Sequence, residues 1–218
     1  MYHFKNILYL FVLIGYSLSY AGSYEDFFSA LERDNVPQVK ALLVRGFDPN
    51  SVSPTGEYAL VLALRQSSFQ VAQLLIADPA TQVEVRTVKD ESPLMLAAIK
   101  GQLALCQQLL DRDADVNKPG WTPLHYAASG GKTEVIQLLL QHFAYIDAAS
   151  PNGSTPLMLA AMYGSTDTVR VLLQAGADPK LKNALDLTAL DFARKVGHLD
   201  AIELIAASMR ASEPAGSW

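Results

Sequence analysis

Thr122-Pro123-Leu124-His125-Tyr126-Ala127-Ala128 is a helix start written in side-chain chemistry. Threonine accepts well from the free N–H groups of a first turn, and proline at the first helical position gives up no hydrogen bond. The alanine pair lets a second helix come close, and Gly131 ends the segment. Thr133 to Gln141 then places Val135, Ile136, Leu138, Leu139 and Leu140 at helical spacing. The stretch therefore predicts a short helix, a tight turn, a second helix and an extended loop.

The same unit recurs in both directions along the chain. Ala30, Ala63, Ala97, Ala127, Ala160 and Ala193 are spaced by 33, 34, 30, 33 and 33 residues. Three residues before each alanine stands Phe27, Leu60, Leu94, Leu124, Leu157 or Leu190. Nine residues after each stands Val39, Ala72, Cys106, Ile136, Val169 or Ile202, and twelve after stands Leu42, Leu75, Leu109, Leu139, Leu172 or Ile205. Four columns held in step through six units define a repeat. One such unit cannot bury its apolar face alone, so neighbours must stack.

The period near 33 and the Thr-Pro-Leu-His-x-Ala-Ala core resemble the ankyrin repeat. Ser92-Pro93-Leu94-Met95-Leu96-Ala97-Ala98 and Thr155-Pro156-Leu157-Met158-Leu159-Ala160-Ala161 carry the same core. The endings Gly46-Phe47-Asp48-Pro49-Asn50, Asp113-Ala114-Asp115-Val116-Asn117 and Gly176-Ala177-Asp178-Pro179 are similar to the family's Gly-Ala-Asp-x-Asn ending. The resemblance implies an all-α solenoid of about six helix-turn-helix units with short hairpin loops, over residues 22–210. Its units begin near 25, 58, 92, 122, 155 and 188. It also implies protein binding on a concave face built from hairpin tips and first helices.

Departures from the pattern are part of the reading. Asp34 and Ser67 stand where the other units have glycine, which marks the first two units as degenerate. The spacing of 30 leaves only Lys118, Pro119, Gly120 and Trp121 between Asn117 and Thr122, so one finger should be short and leave a notch. Asp78 to Glu91 is irregular, and residues 211–218 read as a disordered tail.

The first 21 residues are of another kind. Lys5 precedes an apolar run from Ile7 to Tyr16, and Ser19 and Ala21 supply small residues at a cleavage site. This is the layout of a secretory signal peptide cut after Ala21. An uncleaved anchor is the alternative. The apolar core is short for a membrane span of about 20 residues, which favours cleavage. The chain is expected to be exported, to the periplasm of a bacterium or beyond, with the membrane touched only through this leader.

Composition narrows the function classes. The 218 residues carry net charge −5, which argues against nucleic acid, whose phosphates need a basic surface. Cys106 is the single cysteine and occupies a core column, so an inert buried thiol is expected and an intramolecular disulfide is excluded. His125, His142 and His198 fall in three separate structural positions of the repeat and make no metal site. Asp48, Asp115 and Asp178 recur at hairpin starts, where they stabilise loops. Neither a nucleophile elbow nor a phosphate-binding glycine loop is present. No enzyme, cofactor, metal or small-molecule substrate is therefore expected.

What is left is a surface. The positions that the resemblance turns toward the concave side include Glu57, Arg65, Gln66, Glu91, Ile99, Lys100, Trp121, Met162, Tyr163 and Lys195. Large apolar side chains there are not needed by the stack, and aromatics rimmed by charge are typical binding anchors. Trp121, Ile99, Met162 and Tyr163 are the expected centre, with Lys100, Glu91, Arg65 and Lys195 around it. Packing of Trp121 or Tyr163 on its own unit is the alternative. The expected function is that of an exported protein-binding module, monomeric by itself. An immunity or inhibitor protein for an exported toxin or enzyme is the second reading.

Overall fold

The computed structural model describes residues 22–211, so the leader and all of the tail but Ala211 lie outside the described residues. These residues fall into two compact units, the first ending at Gln82 and the second beginning at Val83. The first holds α1 (described over 22–32), α2 (Val36–Val44), α3 (Ala59–Gln66) and α4 (Phe69–Ala77). The second holds α5 (Pro93–Lys100), α6 (Leu103–Leu110), α7 (Pro123–Ser129), α8 (Thr133–Gln141), α9 (Pro156–Tyr163), α10 (Thr166–Gln174), α11 (Ala189–Val196) and α12 (Leu199–Ala211). Among the described residues the only β pairing outside the helices is an isolated bridge between Val52 and Tyr58.

Most of these helices have seven to nine residues, too short to persist alone in water. Two things hold them: caps and burial. Ser92, Thr122, Thr155 and Thr188 each accept from the backbone N–H three residues on. The residue three positions on (Met95, His125, Met158 or Asp191) accepts back from the cap's own N–H. Removing such a cap typically costs about 1 kcal/mol. Burial does the rest. The alanine column is at most 1% exposed from Ala30 to Ala193, and Phe27, Leu94, Leu124 and Leu157 are fully buried. Ile202 is only half-buried, since no described helix pair packs beyond α12 to cover it.

In the second unit the first helices form one row, α5 on α7, α7 on α9 and α9 on α11. The second helices form the other, α6 on α8, α8 on α10 and α10 on α12. In the first unit, α4 packs on α2 and α3, and the ring of Phe27 stacks on Phe47 at 4.3 Å.

Asp34 overturns one expectation. It adopts φ +52°, as Ser67 does at +67°, so both take the left-handed turn that glycine usually makes. The Asp34 carboxylate then accepts from Val71 N at 2.8 Å and Gln70 N at 3.3 Å. Ser68, the cap residue of α4, makes no side-chain cap bond, so Asp34 supplies the cap from the preceding repeat. This is an added function of the turn, not decay of the pattern.

A further column ties each loop to the next. Asn50 donates to Ala80 O at 2.8 Å and accepts from Gln82 N at 2.7 Å. Asn117 does the same with Phe143 O and Tyr145 N, both at 2.8 Å. An amide can serve a carbonyl and an N–H together, but an ionised carboxylate can serve only the N–H. Glu84 and Asp147 occupy this column and accept from Asp115 N and Asp178 N. Burial, and next the Asp178 charge, push the Asp147 carboxyl above its ordinary range.

Asp147→Asn is therefore expected to stabilise the protein by about 0.5–1 kcal/mol at neutral pH, by adding the missing bond. The sign with pH is fixed. A raised native pKa favours folding below the ordinary carboxylate range, and that contribution is lost as pH rises through the raised value. The advantage of asparagine should then shrink on acidification. Thermal melts of both chains between acid and neutral pH check this; equal melting at neutral pH would refute it.

Candidate functional site: the fingers and the first-helix ends

Each loop between repeats ends in a tight finger. Ser53 N donates to Glu57 O at 2.7 Å, Thr87 N to Glu91 O at 3.0 Å, Ser150 N to Ser154 O at 3.0 Å and Asn183 N to Leu187 O at 3.0 Å. The finger from Lys118 to Trp121 is too short for that pairing. Lys118 Nζ takes over, donating to Trp121 O and Pro119 O at 3.1 Å each and to Asp90 Oδ2 at 2.5 Å. Its side chain is only 9% exposed. The short finger is therefore held by a lysine, and the bond from Lys118 holds the Asp90 carboxyl below its ordinary range. Sequence reading passed over Lys118; a cation beside a three-residue deletion was the signal available.

His125 fixes the adjoining ground. Nδ1 accepts from Thr122 N at 3.2 Å, so Nε2 carries the proton and donates to Ser154 O at 2.9 Å. The ring is fully buried. Burial lowers its pKa, against hydrogen bonds to backbone that raise it, and the neutral imidazole is the form that fits. Trp121 sets its ring edge-on to this imidazole, with centroids 5.3 Å apart and planes at 80°. Trp121 is thus half-buried on its own repeat, so local packing accounts for part of its surface.

The structure brings seven of the eight expected residues onto the second unit. Glu91 precedes α5, Ile99 and Lys100 close it, Trp121 precedes α7, Met162 and Tyr163 close α9, and Lys195 lies in α11. Tyr163 is 62% exposed and Ile99 36%, while Met162 is half-buried. Gly130 explains Ile99: a Cβ there would stand 2.7 Å from Ile99 O and 3.3 Å from Ile99 Cγ1, so a bare backbone lets α5 close in. Glu91 is anchored by Tyr126, whose hydroxyl donates to Oε1 at 3.1 Å. Tyr126 was not among the expected residues, although it follows His125 on the capped helix. Arg65 belongs to the first unit, where it pairs with Glu57 at 2.6 Å.

Chemistry beyond recognition finds little material. Cys106 is buried, and burial pushes its thiol up to about 12, far from the thiolate a nucleophile needs. Among the described residues no group of three or more His, Cys, Asp or Glu could hold a metal ion. No described helix is long and apolar enough to cross a membrane.

Three copies of the family model for ankyrin repeats match residues 27–119, 94–183 and 148–213. The chain belongs to the ankyrin-repeat family. It is an all-α ankyrin solenoid of helix-turn-helix units, and ankyrin repeats are protein–protein interaction modules. Three relatives place it further. The chain is 35% identical over 95 residues to ankyrin repeat and SAM domain-containing protein 6 of Rattus norvegicus, covering 42% of this chain and 11% of that protein. It is 38% identical over 80 residues to the 2-5A-dependent ribonuclease of Mus musculus, covering 35% and 11%. It is 33% identical over 164 residues to the B-cell lymphoma 3 protein homolog of Mus musculus, covering 72% and 36%. The matched ankyrin segments thus span between about a tenth and a third of those curated relatives.

Proposed function

We propose that this ankyrin-repeat chain is an exported binding module that holds a protein partner on the fingers and first-helix ends of its second unit. The observation that carries the reading is the exposure of Tyr163 and Ile99 on rows of packed first helices that need neither side chain for their core. Trp121 supplies a further aromatic surface, and Glu91 and Lys100 supply a polar rim. Central apolar anchors with a polar rim are how such interfaces divide affinity and specificity. Export rests on the leader of residues 1–21. In that setting the partner is a periplasmic or secreted protein, and inhibition of a captured enzyme or toxin by the chain would mark an immunity role.

The experiment is capture from the extracytoplasmic extract, followed by binding measurements on variants. Tyr163→Ala is expected to weaken the captured complex by more than about tenfold, close to 1.4 kcal/mol, with an unchanged melting temperature. Trp121→Ala should weaken it as well, but with a lower melting temperature, because it also strips the edge of His125. Normal binding by Tyr163→Ala combined with Ile99→Ala would overturn the surface. A captured chain that starts at Met1 rather than Gly22 would overturn cleavage of the leader.

A further inference from the structure

The loop after α8 breaks the repeat's own rule. At its equivalent positions three other endings place Gly46 and Asp48, Asp113 and Asp115, or Gly176 and Asp178, and the ending after α4 places the small or polar Ala80 and Gln82. Here stand Phe143 and Tyr145, with Ala144 between them. Phe143 sits at φ +63°, a left-handed conformation in which its Cβ crowds the backbone and which glycine takes freely. Its side chain gains nothing from the fold in return, being 84% exposed, and Tyr145 is 69% exposed. Ala144 between them is buried.

The backbone beneath the two rings is fixed. Phe143 N donates to Leu140 O at 3.0 Å and Ala144 N to Leu139 O at 2.9 Å. The Asn117 amide holds Phe143 O and Tyr145 N from the preceding repeat. Two aromatic rings are therefore presented to solvent on a rigid support, so little ordering entropy would be lost on binding.

The charge around them has one prevailing sign. The loops packed on either side and the loop itself, residues 111–115, 142–147 and 175–180, carry Asp111, Asp113, Asp115, Asp147 and Asp178 against Arg112 and Lys180. Arg86 from the neighbouring finger reaches Asp115 at 3.4 Å and offsets part of that field. Aromatic faces attract cations, and carboxylates beside them add Coulomb attraction while repelling acidic partners.

We propose that Phe143 and Tyr145, set among these carboxylates, form a second docking surface that takes an arginine- or lysine-rich segment of a partner protein. A guanidinium or ammonium would lie against a ring face with a carboxylate in reach. This surface lies on the loops that follow the second helices, apart from the first-helix ends that hold Tyr163, so each can be tested without the other. A second copy of this chain, with net charge −5, is a poor electrostatic match for it, and so is an anionic membrane.

The test uses the full chain and two synthetic probes, an alternating Arg-Gly decapeptide and its citrulline-Gly analogue, which keeps the shape and lacks the charge. The chain is expected to bind the arginine peptide at least tenfold more tightly than the citrulline peptide. The decisive variant is Phe143→Gly with Tyr145→Asp, which installs the pair that the following unit carries as Gly176 and Asp178. It should melt higher, because the strained φ is relieved, and it should bind the arginine peptide at least fivefold more weakly although it is one charge more negative. Binding as tight as the parent's, or tighter, would show a diffuse electrostatic field and overturn the proposal. Equal affinity for the citrulline peptide would overturn it too. So would co-sedimentation of the parent, but not the variant, with phosphatidylcholine vesicles, or self-association that the variant abolishes.

Discussion

Replacing His125 by alanine is expected to cost about 2–4 kcal/mol of stability and no chemical activity. The imidazole fills a fully buried position and joins three groups: Thr122 N, Thr122 Oγ1 and Ser154 O. Alanine leaves a cavity and an unpaired Thr122 N–H where water has little access, and it detaches the helix start from the next finger. His125→Met is the informative control. Met95 and Met158 hold the same place in their own helices and accept the cap N–H through sulfur. Methionine should keep the box and lose only the bond to Ser154, so it should cost about half as much as alanine.

The histidine also gives the pH profile a direction. Its native pKa is lowered, so the unfolded chain takes up a proton that the folded chain refuses. Stability should fall as pH drops below the ordinary histidine value of about 6.5 and level off below the native value. His125→Met should flatten that segment of the profile. Melting curves from pH 5 to pH 8 measure both effects, and an alanine variant that melts like the parent would sink the account.

Gly164→Ala is expected to destabilise the protein by about 3 kcal/mol, through contact rather than conformation. Its φ is −82°, which alanine tolerates. An added Cβ would stand 2.7 Å from Ala128 O, 2.8 Å from Ala160 O and 2.9 Å from Ala160 Cα. All three are backbone atoms, so no side chain can swing aside: α7 would have to draw back from α9 to free Ala128 O, and the end of α9 itself would have to shift to free Ala160. Gly131 is the contrast at the equivalent position of the preceding repeat. Its φ is +67° and nothing lies closer than 3.6 Å to an added Cβ. Gly131→Ala should cost about 1 kcal/mol, the left-handed penalty alone. Denaturant unfolding of the two variants decides; equal losses would mean that the close approach of α9 to α7 has been misjudged.

The two glycines show where the sequence is silent. Both fall in one column of the repeat, yet Gly131 turns left-handed and Gly164 stays extended. Column alignment records which residue recurs, not which backbone angle it adopts, and Ser165 capping α10 is the local difference. Asp34 is a similar case. Read as a lost glycine, it is a cap for a helix 36 residues away. Trp121 is legible as a large residue at a surface position, but its half-burial depends on the buried ring beside it. Phe143 and Tyr145 escape a period search for a simpler reason: it keeps columns that repeat, and they do not.

By itself the sequence determined the repeat, its helix starts and its core. Those follow from short-range rules: a threonine and a proline at a helix start, and apolar side chains at helical spacing, act wherever they occur. The motifs they build carry the resemblance to the ankyrin repeat, and the family-model matches show that family. Only the tertiary structure decided which loop atoms are tied across repeats: Lys118 closing a short finger, Asp34 capping from a distance, Gly164 meeting a carbonyl, and Asp147 lacking the donor that Asn117 has. Each is a contact between residues about 30 positions apart or a loop conformation selected by such a contact. Their energy depends on tenths of an ångström that residue identity and spacing do not encode.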